Sequence, residues 1–285
     1  MSVSPSPSIR RKRLIIELRR LREESGLTCE EVGARLECSG TRISRIETGK
    51  IGARPGDVRE LLEVYGVTGA DADALVQLAR EARRKGWWHT YGNLLPNWFE
   101  AYVGLETEAA RFRDFQPLVI PGLLQTADYA RAVLRAAPTA GPTEEIDRLV
   151  ALRLERQSVL DRDNPPDMWI VLGEGVLRTR VGDEAVMQAQ LRHLVEMAER
   201  PNVTLQVLPF TNAAHVNPIS PFTILEFAEH DDPTVVYLEH LTGCLFAEEE
   251  AEVRRYRVVF DHLRAESLGT GQTIDLIARL SEELG

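Results

Sequence analysis

The stretch from Leu27 to Lys50, LTCEEVGARLECSGTRISRIETGK, constrains the fold more than any other part of the chain. Thr28 and Glu31 stand three residues apart at its start, which is the spacing of a capping box. The Thr28 hydroxyl accepts the Glu31 amide, and the Glu31 side chain reaches back to the Thr28 amide. A helix started this way runs to about Leu36. Only Glu37, Cys38 and Ser39 precede the next helix, with Ser39 as its N-cap and Gly49 as its stop. Two short helices joined by so tight a turn make a helix-turn-helix. Ile43 and Ile46 must face inward to hold the second helix. The helical period then turns Gly40, Thr41, Arg42, Ser44 and Arg45 partly or wholly outward.

The flanking sequence completes a small all-α domain. Ile9 to Glu24 reads as a helix with Leu14, Leu18 and Leu21 on one face, stopped by Gly26. A fourth helix follows Arg54-Pro55-Gly56 and closes at Tyr65-Gly66, and a fifth spans Asp71 to Lys85. The expected core is Leu18, Leu21, Val32, Leu36, Ile43, Ile46, Val58, Leu61 and Leu62. Residues 1–8 are rich in Ser and Pro, so a disordered tail is expected there.

An exposed edge near the N-terminus of a helix suits the DNA major groove. Arginine binds guanine O6 and N7 bidentately, and a threonine methyl contacts thymine. Thr41, Arg42, Ser44 and Arg45 are therefore the candidate base-reading residues. Thr28, Ser39, Lys50 and Arg54 are the candidate phosphate contacts, since helix N-termini and cations both attract phosphate. The plainer reading is a structural helical hairpin with solvated arginines. Charge bears on that choice. The net charge of −10 argues at first against nucleic acid. Yet residues 1–90 hold 17 Lys/Arg against 13 Asp/Glu, while residues 91–285 hold 17 against 31. A basic head of +4 on an acidic body of −14 favours the DNA reading.

A length of 285 residues suggests two domains. The sharpest shift in composition is GWWHTYGNLLPNWFEAY, which holds three of the four tryptophans. Placing the junction there gives a tail at 1–8, a helix-turn-helix domain at 9–85 and a second domain at 86–285. In the second, FQPLVIPGLLQTADYARAVLRAA reads as an extended piece, a Pro-Gly turn and a helix. A long helix covers roughly Glu144 to Asp163, and another runs from Asp183 to Glu199. DMWIVLG, NVTLQVLPF, SPFTILEF and TVVYLEHL read as strands, and two helices, about 247–266 and 273–284, finish the chain. The fold class expected is α+β: an all-α five-helix domain followed by a mixed α/β domain. No apolar run approaches the ~18 residues that cross a bilayer. The charged start has no apolar stretch behind it, so no signal peptide is read and the expected location is cytoplasmic.

Two resemblances add to this reading. LTCEEVGARLECSGTRISRIETGKIGARP resembles the repressor-type helix-turn-helix of the xenobiotic-response-element (XRE) family, through Leu27, Thr28, Glu31, Leu36, Ser39, Ile43, Ser44, Ile46, Glu47, Gly49, Lys50 and Pro55. That resemblance implies operator-DNA binding, usually as a dimer. The chain departs from the pattern at Cys29, where a phosphate-contacting Gln is usual, and at Glu37, where a turn Gly is usual. It departs again at Gly40, where a polar base-reading side chain is usual. Nearly the whole chain, through IPGLLQTADYARAVL, RLERQ, GEGVLRTRVGDEAVMQAQLRHLVEMA and VVYLEHLTG, also resembles an actinobacterial family with WhiJ-type developmental regulators as its named examples. This implies a transcription regulator. It also raises an antitoxin-like alternative, in which the chain holds a small protein encoded by an adjacent gene and DNA binding serves autoregulation.

Catalytic motifs do not appear. No G-x-x-x-x-G-K-[ST], G-x-S-x-G or H-E-x-x-H is present, and GEGVLR lacks the third glycine of a dinucleotide fingerprint. No two of the six histidines stand at i, i+4, and there is no C-x-x-C pair. No enzyme activity, cofactor or metal is expected; a DNA-tethered enzyme using Glu174, Glu239 or His240 is the least favoured reading. Ligand or partner candidates remain. Gln125 and Thr126 are expected in the first turn of the helix after Gly122, open to a polar or anionic ligand, with a well-capped strand-to-helix corner as the favoured plainer reading. Arg153, Arg156 and Gln157 share one helix face that meets Glu174, a partner or solvent. Trp87 and Trp88, with Tyr91, Trp98 and Phe99, line a pocket or an interface, or form a junction core.

Overall fold

A computed structural model describes residues 9–83, 86–92, 94–138, 140–215, 220–228 and 232–284. The expected tail at 1–8, together with Lys85 and His230, lies outside them. The chain divides into two units, Met1–His89 and Thr90–Gly285.

Five helices build the first unit: α1 (Ile9–Glu24), α2 (Cys29–Arg35), α3 (Gly40–Glu47), α4 (Pro55–Tyr65) and α5 (Ala70–Glu81). Both halves of the Thr28–Glu31 capping box are present, and the Ser39 side chain accepts from the Arg42 amide. Each cap is worth about 1 kcal/mol to a helix of two turns that would not form alone. Leu14, Leu18, Val32, Ile43, Ile46, Val58, Leu61, Leu62, Val76 and Ala79 are buried in one core, and Leu21 and Leu36 pack against it. Gly66 ends α4 with φ 77°.

The second unit holds a six-stranded sheet in the order β3-β2-β1-β4-β5-β6. The strands are β1 (Arg111–Gln116), β2 (Asp167–Gly173), β3 (Val203–Leu208), β4 (Phe222–Glu226), β5 (Val235–His240) and β6 (Gly243–Ala247). Strands β1, β2 and β3 are parallel, and β1, β4, β5 and β6 are antiparallel. The parallel strands need helical crossovers. These are α7 (Ala127–Ala136) and α8 (Thr143–Gln157) between β1 and β2, then α9 (Glu174–Arg178) and α10 (Glu184–Ala198) between β2 and β3. Helix α6 (Asn97–Glu108) precedes β1, and α11 (Glu250–Glu266) and α12 (Thr270–Glu282) follow β6. One sheet face carries Phe115, Val171, Phe222, Ile224 and Val236 against Val253, Phe260 and Leu263 of α11. The free side of β3 is closed by Val207, whose amide donates to Thr273 Oγ1 and whose carbonyl accepts from the Leu268 amide. The α+β class therefore stands, with three elements beyond those expected. Helix α6 was hidden among aromatics. Strand β1 extends the expected piece upstream because a charged side chain, Asp114, is buried in it. Strand β6 is joined to β5 by Leu241-Thr242, a connection without a turn signal.

Among the described residues, no helix is long and apolar enough to cross a membrane, and no group of three His, Cys, Asp or Glu can hold a metal ion.

Candidate functional site

Helix α3 is positioned by what it buries. Ile43 and Ile46 are almost fully enclosed, and Glu47 with them. Glu47 accepts from Arg22 Nε at 2.8 and 3.0 Å, and Tyr65 Oη lies 3.5 Å from it. Arg11 Nη2 donates to the Gly49 carbonyl at 2.7 Å, tying the far end of α3 to α1. Close backbone approach sets the near end. A Cβ on Gly33 would stand 2.7 Å from the Cys38 carbonyl oxygen and the Gly40 amide. A Cβ on Gly40 would stand 2.9 Å from the backbone of Glu30. Gly40 thus packs against α2. It is half-exposed, within the partly outward placement that the helical period suggested. Glu37, in the turn, has φ 51°, the left-handed region that glycine occupies without strain.

Thr41, Arg42, Ser44 and Arg45 are all exposed. Arg42 Nη2 is 3.0 Å from Asp57 Oδ1, a pair with side chains 50% and 21% exposed. The Arg45 side chain has no partner among the described residues. Lys50 and Arg54 are exposed as well. Thr28 and Ser39 are less free. The Thr28 amide and hydroxyl both donate to Glu31 Oε2, and each of the two hydroxyls accepts from its own helix. Hydrogen bonds from Thr28 also lower the Glu31 pKa, so a carboxylate stands ionised at the end of α2 expected to meet phosphate. What these two residues leave for a phosphate is the pair of unbonded amides that opens each helix.

In the second unit the candidates on α8 point inward. Arg156 is buried and forms a bidentate pair with Glu106 of α6, Nε to Oε1 at 2.7 Å and Nη2 to Oε2 at 2.6 Å. Its guanidinium lies 5.1 Å from the Phe99 ring centroid and 5.6 Å from that of Tyr102. Burial by itself would lower the Arg156 pKa; the Glu106 charge and hydrogen bonds reverse this and raise it. Arg153 Nη1 donates to Gln125 Oε1 at 2.7 Å, and Gln125 Nε2 donates to the Ile120 carbonyl at 2.6 Å. Gln157 Nε2 donates to the carbonyls of Gly122 and Gln125, at 3.0 and 2.7 Å. Gln125, Arg153, Arg156 and Gln157 are thus brought together where β1 runs into the loop at 120–125, beyond a strand's carboxyl end, the usual ligand position in open α/β sheets.

Residues 99–279 match the family described as a domain of unknown function, DUF5753. The chain belongs to the DUF5753 family. Residues 13–75 match a helix-turn-helix domain, the module of DNA-binding regulators. No curated protein and no solved structure matches the chain.

Two expectations for the DUF5753 domain are corrected. Thr126 is the N-cap of α7 and Gln125 precedes it, so neither stands in the first turn; Thr126 accepts from the Tyr129 amide and its own amide donates to Gln190 Oε1 at 2.7 Å. Glu174 does not meet Arg153 or Arg156; it accepts from Arg178 Nε at 2.7 Å and from the Phe210 amide at 3.0 Å. Trp87 and Trp88 are half-buried in the first unit with rings edge to face at 6.0 Å, whereas Phe99 and Tyr102 of the DUF5753 domain pack under Arg156 and Tyr102 stacks on Tyr237 at 4.1 Å.

Tyr102, Glu106 and Asp114 were missed in the sequence. Phe99, Tyr102 and Glu106 fall at i, i+3, i+7 of α6, a helical stripe that names the partner of Arg156 once α6 is recognised. Asp114 has no such signal. It lies beside Thr223 and then Tyr237 across the sheet, accepting from Thr223 Oγ1 and Gln116 Nε2 at 2.9 Å. Burial raises its pKa to about 6, against those two hydrogen bonds.

Proposed function

We propose that this chain is a sequence-specific DNA-binding transcription regulator whose DUF5753 domain receives a signal from a small ligand or a partner protein. The observation that carries the reading is the outer edge of α3, where Thr41, Ser44 and the unpaired Arg45 face solvent on a helix pinned by Ile43 and Ile46. Such an edge enters the major groove, and a homodimer on a two-fold operator supplies two of them. Repressor-type action and kinship with actinobacterial WhiJ-type regulators are supported by the sequence resemblance. The reading assigns the DUF5753 domain no catalytic step, cofactor or metal, and places the protein in the compartment that holds the DNA.

Fluorescence anisotropy with DNA from upstream of the protein's own gene tests it. The Arg42→Ala, Arg45→Ala double variant should lose sequence preference, and Lys50→Ala should weaken all sequences alike and flatten the salt slope by about one. Wild-type operator binding by the double variant would sink the proposal.

An antitoxin-like role is the second reading. It is supported by exposed leucines at the edge of the sheet, Leu241 in the turn before β6 at 97% and Leu245 in β6 at 55%. Stoichiometric co-purification with the product of an adjacent short gene, lost in Leu245→Asp, is the expected result. Free passage of the two proteins through size-exclusion chromatography would discard it.

A further inference from the structure

Arg153 and Arg156 stand three residues apart on α8, and among the described residues Arg156 has an ion-pair partner while Arg153 has none. Two carboxylates act on Arg153 through space, Glu239 and Glu106. Both are engaged elsewhere: Glu106 is held bidentately by Arg156, and Glu239 Oε2 accepts from Tyr237 Oη at 2.9 Å. Neither forms an ion pair with Arg153, whose one hydrogen bond among the described residues goes to the neutral oxygen of Gln125. Its Nε and Nη2 are without partners, and neither atom is sealed from solvent. The side chain keeps an exposed strip, yet lost hydration followed by the Arg156 charge lowers its pKa to about 10. A guanidinium held this way has one bidentate edge free for an anion.

The surroundings are arranged to admit one. Gly122 presents bare backbone to the second guanidinium; a Cβ there would stand 3.3 Å from Arg156 Nη1, the nitrogen that Glu106 leaves unused. The carbonyls of Gly122 and Gln125, which would repel an anion, are taken up by Gln157 Nε2. The Gln125 side chain is buried and anchored at both ends, so it fixes the Arg153 fork in one orientation.

We propose that the Nε–Nη2 edge of Arg153, one helical turn from Arg156, is the recognition site for the carboxylate or phosphate group of a small-molecule ligand. The proposal deepens, and rests on, the reading of the DUF5753 domain as a signal receiver. Bidentate geometry favours the planar guanidinium over a lysine, and a ligand anion there would give Arg153 the direct ion pair it lacks among the described residues.

Thermal melts of the full chain against inorganic phosphate, and separately against acetate, each with chloride at matched ionic strength, test the site. A saturable rise in Tm of about 3 °C or more is expected with at least one of the two, and which one responds assigns the ligand group. Arg153→Gln should abolish the rise, and Arg153→Lys should weaken apparent affinity about tenfold or more. A response to neither anion, an undiminished response in Arg153→Gln, or an undiminished response in Arg153→Lys would each overturn the proposal. Operator affinity with and without the responding anion separates the two claims. Anion binding that leaves DNA affinity unchanged removes the signal-receiver reading on which the proposal rests, with the Arg153 anion contact still measured in the melts. Unaltered operator recognition in an anion-blind protein removes the site alone.

Discussion

Arg42 and Arg45 on α3 stand three residues apart, as do Arg153 and Arg156 on α8, yet the first pair faces water and the second faces into the protein. The helical period puts each pair on one face and says nothing of what that face meets. On α3 the alternative face carries Ile43 and Ile46, whose burial pins the helix and leaves the arginines outside. On α8 the inward face holds Ile146, Val150, Leu152 and Arg156, because α6 brings Glu106 opposite. An arginine can be buried where a carboxylate meets it in bidentate geometry, and otherwise stays in water.

The comparison breaks most sharply at Glu106. Glu106→Ala strands the Arg156 charge in the interior and should cost about 3–5 kcal/mol in urea unfolding; a loss within the ~0–1 kcal/mol of a surface pair would show that the pair is not buried in solution.

Asp114 gives the next effect. Its folded pKa of about 6 lies above the ~3.9 of an unfolded aspartate, so the folded state binds the extra proton. The Asp114 contribution to stability should therefore be largest below about pH 4, fall as pH rises to about 6, and then level off. Asp114→Asn should remove that slope and raise stability at neutral pH by on the order of 2 kcal/mol. A pH–stability profile identical in the variant would show that the carboxyl is hydrated.

On α3 the magnitudes are smaller and are read in DNA binding. Arg45→Ala should cost about 1–3 kcal/mol of operator affinity with loss of base preference. Arg42 must keep or break its pair with Asp57, so Asp57→Asn should tighten binding modestly, by at most about 1 kcal/mol. Weaker binding in Asp57→Asn would mean that the pair orients Arg42 for DNA. Smallest of all, Glu37→Gly should stabilise the first unit by about 1 kcal/mol or less, since φ 51° strains a side chain-bearing residue; no gain in Tm would argue that the turn is relaxed.

Much of the first unit was legible because its signals are local. The capping box, the N-cap at Ser39 and the stops at Gly49 and Gly66 each act within a few residues of chain. Gly40 shows the limit: its neighbour, Glu30, lies ten positions away, and the close approach of α2 and α3 gives that glycine its purpose. The second unit was legible in its long helices and in the strands β2 to β5. Strand β1 was read only in part because its alternation is interrupted by a buried carboxylate.

The sequence by itself determined that a helix-turn-helix leads the chain, that α3 must turn its isoleucines inward, and that a mixed α/β domain follows, since capping, periodicity and turn chemistry are short-range. Tertiary structure alone decided which charges are buried. Glu106 and Arg156 are fifty residues apart, and Asp114 and Thr223 more than a hundred, so only the packing of α6 and α8 and the register of β1 with β4 bring them together. Whether a charged side chain is solvated or enclosed depends on the partner opposite it. No local pattern encodes that partner.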